Sequence, residues 1–136
     1  TFSPDSVDAL ILPGGFGAAK NLCTYAFDGP NCKVQPDVAK AIKAIHQAGK
    51  PIGALCIAPV IVAKVLGNVT LTIGQDSGTA EHLAAMGAKN QPTQQGEIAI
   101  DEANKIVSTP CYMLNSRIDQ VAEGVDKLVA AMIQMM

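Results

Sequence analysis

Cys56 is the side chain whose surroundings suit it best to nucleophilic chemistry. The run Lys50-Pro-Ile-Gly-Ala-Leu-Cys56-Ile-Ala-Pro59 carries an apolar, extended stretch straight into a helix-forming segment, which sets the thiol on a strand-to-helix elbow. Such an elbow is sterically tight and needs small residues two before and two after the nucleophile, and these are Ala54 and Ala58. A helix starting near Ile57 would present free N–H groups and the positive end of its dipole to the sulfur, favouring a thiolate. The competing reading is a buried cysteine that closes a core strand, a common place for a free thiol. Cys23, Cys32 and Cys111 complete the cysteines; they form no CxxC pair and no regular framework, so neither a zinc site nor a disulfide scaffold is expected. The two histidines sit in bland settings. His46 falls near the end of a helix, where a cationic side chain suits the dipole, and His82 lies in a short helix after a loop holding Asp76. Neither has the setting of a catalytic base.

The elements that would position Cys56 follow from periodicity. Asp8-Ala-Leu-Ile-Leu-Pro13 is a continuous apolar run stopped by Pro13-Gly14-Gly15, the mark of a strand buried on both faces and broken by a turn. The small-residue loop Gly15–Asn21 follows, then an exposed excursion around Asp28-Gly-Pro-Asn31. Val38, Ala41, Ile42 and Ile45 recur at helical spacing within Gln35–Ala48, and Gly49 stops that helix. After the elbow, Ile57–Leu66 reads as helix ended by Gly67, and Thr70–Gly74 as a short strand. Thr79–Met86 reads as a helix capped by Thr79. Glu97–Asp101 and Lys105–Thr109 flank a turn and predict a hairpin or neighbouring strands. The final helix carries the stripe Ile118, Val121, Ala122, Val125, Leu128, Val129, Met132 and Ile133, with Met132, Met135 or Met136 left for a partner surface. Alternating strands and helices imply a mostly parallel sheet covered on both faces, with ligands at the carboxyl ends of the strands. Three loops should converge there: Gly14-Gly15-Phe16, the elbow at Cys56, and Pro110-Cys111-Tyr112. Lys20 and Asn21 are placed to orient a polar substrate or to serve as solvated loop residues. Tyr112 would wall the pocket or simply pack, and Cys111 stands near enough to resolve an oxidised Cys56.

Composition narrows the partners. At 136 residues the chain fits a single domain, 1–136. Ten basic against twelve acidic residues leave a net charge of −2 with no basic cluster, which argues against nucleic acid or an anionic membrane surface. No apolar run reaches the roughly 20 residues of a membrane helix. A small-molecule ligand and a reducing, cytoplasmic setting are expected, and the start at Thr1-Phe-Ser-Pro-Asp5 is not a signal peptide.

Four blocks in order, Leu12-Pro-Gly-Gly-Phe-Gly-Ala-Ala-Lys-Asn21, His46-Gln-Ala-Gly-Lys-Pro51, Leu55-Cys-Ile-Ala-Pro59 and Val107-Ser-Thr-Pro110, resemble the ES1/ElbB branch of the DJ-1/PfpI superfamily. The resemblance spans essentially the whole chain and implies a flavodoxin-like α/β three-layer sandwich with a mostly parallel sheet, related to class I glutamine amidotransferase domains. It makes Cys56 the elbow nucleophile and the N–H groups of Gly15 and Ile57 an oxyanion hole. Gly14, Phe16, Lys20, Asn21, Pro110 and Tyr112 would form the substrate site. The glutamate that superfamily members place beside the cysteine matches no residue here, and the N-terminal part of the domain is expected to be missing from this chain. No histidine matches an amidotransferase triad, so glutamine hydrolysis is not expected. What the resemblance implies is a cofactor-independent, metal-free enzyme of the glyoxalase III type, converting small dicarbonyls such as methylglyoxal or glyoxal to hydroxy acids, working as a homodimer. The alternative is a non-enzymatic redox-responsive or binding protein that uses an oxidisable Cys56. The resemblance also carries an association of this branch with isoprenoid metabolism, which the residues neither support nor exclude.

Overall fold

The computed structural model describes residues 3–136. Its central sheet has four strands: β1 (Leu10–Leu12), β2 (Ile52–Leu55), β5 (Ala99–Asp101) and β6 (Ile106–Thr109), in the order β1-β2-β6-β5. β1, β2 and β6 run parallel, with Leu12 opposite Ala54 and Leu55 opposite Thr109, while β5 returns antiparallel to β6. A separate parallel pair is formed by β3 (Thr70–Leu71) and β4 (Lys89–Asn90).

The pleat of β2 sorts the two faces. Ile52 and Ala54 point into a cluster with Ile106 of β6 and with Ile42, Ile45, Val60 and Ile61, supplied by helices α2 (Pro36–Gln47) and α3 (Pro59–Leu66). Gly53 and Leu55 face the last helix, α5 (Ile118–Met135), whose Leu128 and Met132 pack with Val107. The result is three layers, helix on sheet on helix, as the flavodoxin-like expectation has it. α5 lies close because its seat is made of glycine: a Cβ at Gly53 would stand 2.6 Å from Met132 Sδ, and one at Gly124 would stand 2.5 Å from Thr109 Oγ1.

The elements differ from expectation in instructive ways. β1 neighbours only β2 among the described strands, and Ile11 is 43% exposed, so in the described residues one face of this run is partly open where burial on both was expected. The segment after it is not a plain loop: Ala18–Leu22 forms a π-helical turn, followed by the short helix α1 (Tyr25–Asp28). The helix α4 (Ser77–Ala85) starts two residues earlier than its pattern suggests, because Asp76 and not Thr79 is the cap and its carboxylate accepts the Thr79 N–H at 2.9 Å. On α5 the buried positions are Gly124, Leu128 and Met132, while Ile118 is 78% exposed; Met132 belongs to the core and is not free for a partner.

Candidate active site

The three parallel strands end on the same edge of the sheet, so the loops that leave them meet there. Cys56, one residue beyond β2, is half-buried and adopts φ 59°, the left-handed region that a side chain with a Cβ rarely occupies. Its N–H donates to the carbonyl of Thr109 at 3.0 Å, anchoring the elbow to the end of β6. The tight turn is possible because Gly14 lies against it. A Cβ at Gly14 would meet Cys56 Cβ at 2.5 Å, the Leu55 carbonyl at 2.7 Å and the Ile57 nitrogen at 3.3 Å. The loop after β1 and the elbow after β2 therefore touch backbone to backbone.

Two backbone donors remain unspent beside this contact. Among the described residues, the N–H groups of Gly15 and Ile57 have no hydrogen-bond acceptor, whereas the next N–H along, that of Ala58, returns to Leu55 O at 2.9 Å. Gly15 takes φ 93° and opens the carbonyl side of its loop to Ala18, whose N–H it accepts at 3.0 Å.

Cys111 lies two residues beyond β6, as Cys56 lies one beyond β2. It too is left-handed, with φ 47°, and it opens a 3₁₀ turn, Cys111–Met113. Its thiol is buried; that burial, reinforced by the neighbouring Cys56 thiol, raises its pKa above the ordinary thiol value, and the Cys56 backbone amide partly opposes the shift.

The remaining expected site residues scatter. Phe16 and Tyr112, 71% and 60% exposed, stand in solvent at the rims of their loops. Pro110 is buried and packs on Gly74. Lys20 and Asn21 line a separate shallow groove with Thr24, Lys33 and Gln35. His46 Nε2 lies 3.1 Å from Asn104 Oδ1, at the turn that feeds β6 from the opposite edge of the sheet. His82 Nδ1 lies 2.7 Å from the Tyr25 hydroxyl, with the rings edge to face. No hydrogen bond joins the Cys56 sulfur to a histidine or carboxylate among the described residues, and these contain no group of three His, Cys, Asp or Glu side chains fit to hold a metal ion.

Comparison with known proteins fits this geometry. The human mitochondrial glutamine amidotransferase-like class 1 domain-containing protein 3 is 44% identical over 94% of the chain, and the rat mitochondrial ES1 protein homolog is 42% identical over the same share. A crystal structure of an isoprenoid biosynthesis protein with an amidotransferase-like domain, from Ehrlichia chaffeensis, superposes with a TM-score of 0.89 at 31% identity over 98% of the chain. The chain belongs to the ES1/ElbB branch of the DJ-1/PfpI superfamily. No family profile matches it. This ES1-like chain spans about half the length of the curated relatives, 51% and 52% of them, and 62% of the Ehrlichia protein. A glyoxalase III from Candida albicans shares the fold, with a TM-score of 0.62 at 17% identity. The comparison corrects the expected compartment. The curated relatives from human, rat and zebrafish are named as mitochondrial, against the cytoplasmic expectation. Free cysteines speak only for a reducing setting, which does not distinguish the two.

Proposed function

We propose that this ES1-like chain carries the nucleophile and oxyanion hole of a cofactor-independent enzyme acting on small dicarbonyls, in the manner of a glyoxalase III, and that it works in mitochondria as its relatives' names suggest. The observation that supports this reading is the left-handed elbow at Cys56, pressed against Gly14 with the N–H groups of Gly15 and Ile57 unclaimed beside it. The Cys56 thiolate adds to the aldehyde carbon of methylglyoxal, and the carbonyl electron pair moves to oxygen. The free N–H groups of Gly15 and Ile57 meet that developing charge as an oxyanion hole. A proton then moves from the former aldehyde carbon to its neighbour, converting the hemithioacetal to a thioester, and water releases lactate and the free thiol. The proton carrier is the glutamate of the family pattern, which matches no residue of this chain.

The test is lactate formation from methylglyoxal by the full-length protein and its Cys56→Ser variant. Turnover that falls by about 10³-fold or more in the variant, with circular dichroism unchanged, supports the reading. Turnover that survives the substitution overturns the role of Cys56. A wild-type protein whose Cys56 alkylates readily but which makes no lactate overturns the enzyme and leaves a thiol-based sensor or binder.

A further inference from the structure

The four free thiols fall into two pairs at different places in the fold. Cys23 and Cys32 are sealed in the core, where the Cys23 thiol points at the carbonyls of Ala18 and Ala19 at 3.8 and 3.6 Å and Cys32 packs beside it. Cys56, half-buried, and Cys111, buried, instead sit on the loops that leave the carboxyl ends of the adjacent strands β2 and β6. Leu55 is paired with Thr109, and Thr109 O holds the Cys56 N–H at 3.0 Å, so the chain segments bearing the two thiols are locked side by side. Neighbouring strands run about 4.8 Å apart. Because Leu55 pairs with Thr109, Cys56 falls opposite Pro110, one residue short of Cys111; along the ladder, an offset of about 3.3 Å across that spacing gives about 5.8 Å, within the roughly 4.4–6.8 Å that a disulfide spans between Cα atoms. The left-handed turns at Cys56 and Cys111 take both segments out of the ladder, one and two residues past their strands.

We propose that Cys56 and Cys111 form a reversible dithiol–disulfide couple that a hydroperoxide closes, switching off the carbonyl chemistry of Cys56 and shielding it from irreversible oxidation. The inference rests on Cys56 being the reactive thiol of the proposed function. In the first step the Cys56 thiolate attacks the distal peroxide oxygen, the O–O bond breaks, and an alcohol or water leaves with a proton from solvent, giving a sulfenic acid. In the second the Cys111 sulfur attacks the Cys56 sulfur; the S–O bond breaks and the hydroxyl departs as water with the Cys111 proton. Two thiols lose two electrons and the peroxide gains them. Burial keeps Cys111 a protonated thiol at neutral pH, so it acts second, as the resolving group.

The full-length protein is treated with hydrogen peroxide and mapped by peptide mass spectrometry without reduction, alongside Cys111→Ser and Cys111→Ala. The expected result is a Cys56–Cys111 linked peptide, iodoacetamide labelling of Cys56 reduced about tenfold, and recovery on adding dithiothreitol. Cys23 and Cys32 stay as thiols. Both variants lose the link and accumulate sulfinic acid at Cys56 while retaining its labelling before peroxide. A wild-type Cys56 that labels readily yet passes to the sulfinic state without the link overturns the couple alone and leaves the dicarbonyl reading intact. A Cys56 inert to iodoacetamide overturns both. The couple stands or falls on the linked peptide, whether or not lactate forms.

Discussion

Cys56 and Gly14 act as one unit, and each explains the other. The sequence exposed the cysteine through Ala54 and Ala58, which leave room on either side of it, and exposed Gly14 only as a turn signal. The need for glycine comes from Cys56, 42 positions later, and appears once the two loops meet. Gly14→Ala is expected to displace the elbow, slowing Cys56 alkylation by about tenfold or more and costing about 1–3 kcal/mol in urea unfolding. The matching change at Gly17, where a Cβ would reach only the Asn21 amide at 3.7 Å, should leave the alkylation rate within about twofold. Lys20 and Asn21 are placed by local geometry. They follow the glycine loop in sequence, but the π-helical turn carries them to a groove beside Lys33, because local helical geometry and not sequence adjacency sets where a side chain points.

Among the elements, those with strong periodicity were legible and those held by side chains were not. α2 runs Pro36–Gln47 within the expected Gln35–Ala48, and the β5–β6 hairpin lies within its predicted limits, because alternation and helical spacing report burial directly. The true seat of α5 was hidden. Gly124 breaks the stripe of large apolar residues yet makes the tightest contact with β6, so a reading by hydrophobicity passes over it. Gly124→Ala would set a methyl against Thr109 Oγ1 and is expected to cost about 1–3 kcal/mol. Because Thr109 O also holds the Cys56 N–H, the same variant should alter the Cys56 alkylation rate, although the helix itself does not reach the thiol. A stability loss with an unchanged rate would separate the helix seat from the elbow. Asp76 and Thr79 are both good cap residues, so the pattern alone does not choose between them, and the structure places the cap at Asp76. Asp76→Ala should cost about 1 kcal/mol, and Ser77→Ala, whose side chain makes no cap bond, much less.

At the scale of the molecule, the two sheets are joined by side chains. Ser108 Oγ on β6 accepts the Thr72 N–H at 2.9 Å, and the Asp101 carboxylate on β5 accepts the Thr70 N–H at 2.8 Å and the Asn104 side-chain amide at 2.9 Å. Sequence periodicity reports strands and helices and has no signal for such a joint, so Thr70–Gly74 looked like one more strand of a single sheet. Ser108 is fully buried, and Ser108→Ala leaves the Thr72 N–H without an acceptor; a loss of about 1–3 kcal/mol and faster exchange of that amide are expected. The Asp101 joint is titratable. Partial burial pushes its pKa up, but the donors at Thr70 and Asn104 outweigh it and hold it below the ordinary carboxylate value. A depressed folded value means that the stabilisation is complete above the unfolded pKa of about 3.9 and is lost as pH falls through the folded one. Asp101→Asn should therefore be less stable than the parent at neutral pH, with the difference shrinking below about pH 4. A difference that persists unchanged into acid would refute the titration.

The outer edge of β1 has a bearing on how these 136 residues behave as a solute. Leu10 spends its N–H on Pro51 O, toward β2, and the pleat turns the backbone of Ile11 the other way, with no strand beside it among the described residues. An apolar, unpaired strand edge is a template for another chain, and at high concentration this one should recruit its own copies side by side. Light scattering that grows with concentration and is suppressed by Ile11→Lys would reveal it, so handling the chain on its own becomes a matter of colloid chemistry as much as of catalysis.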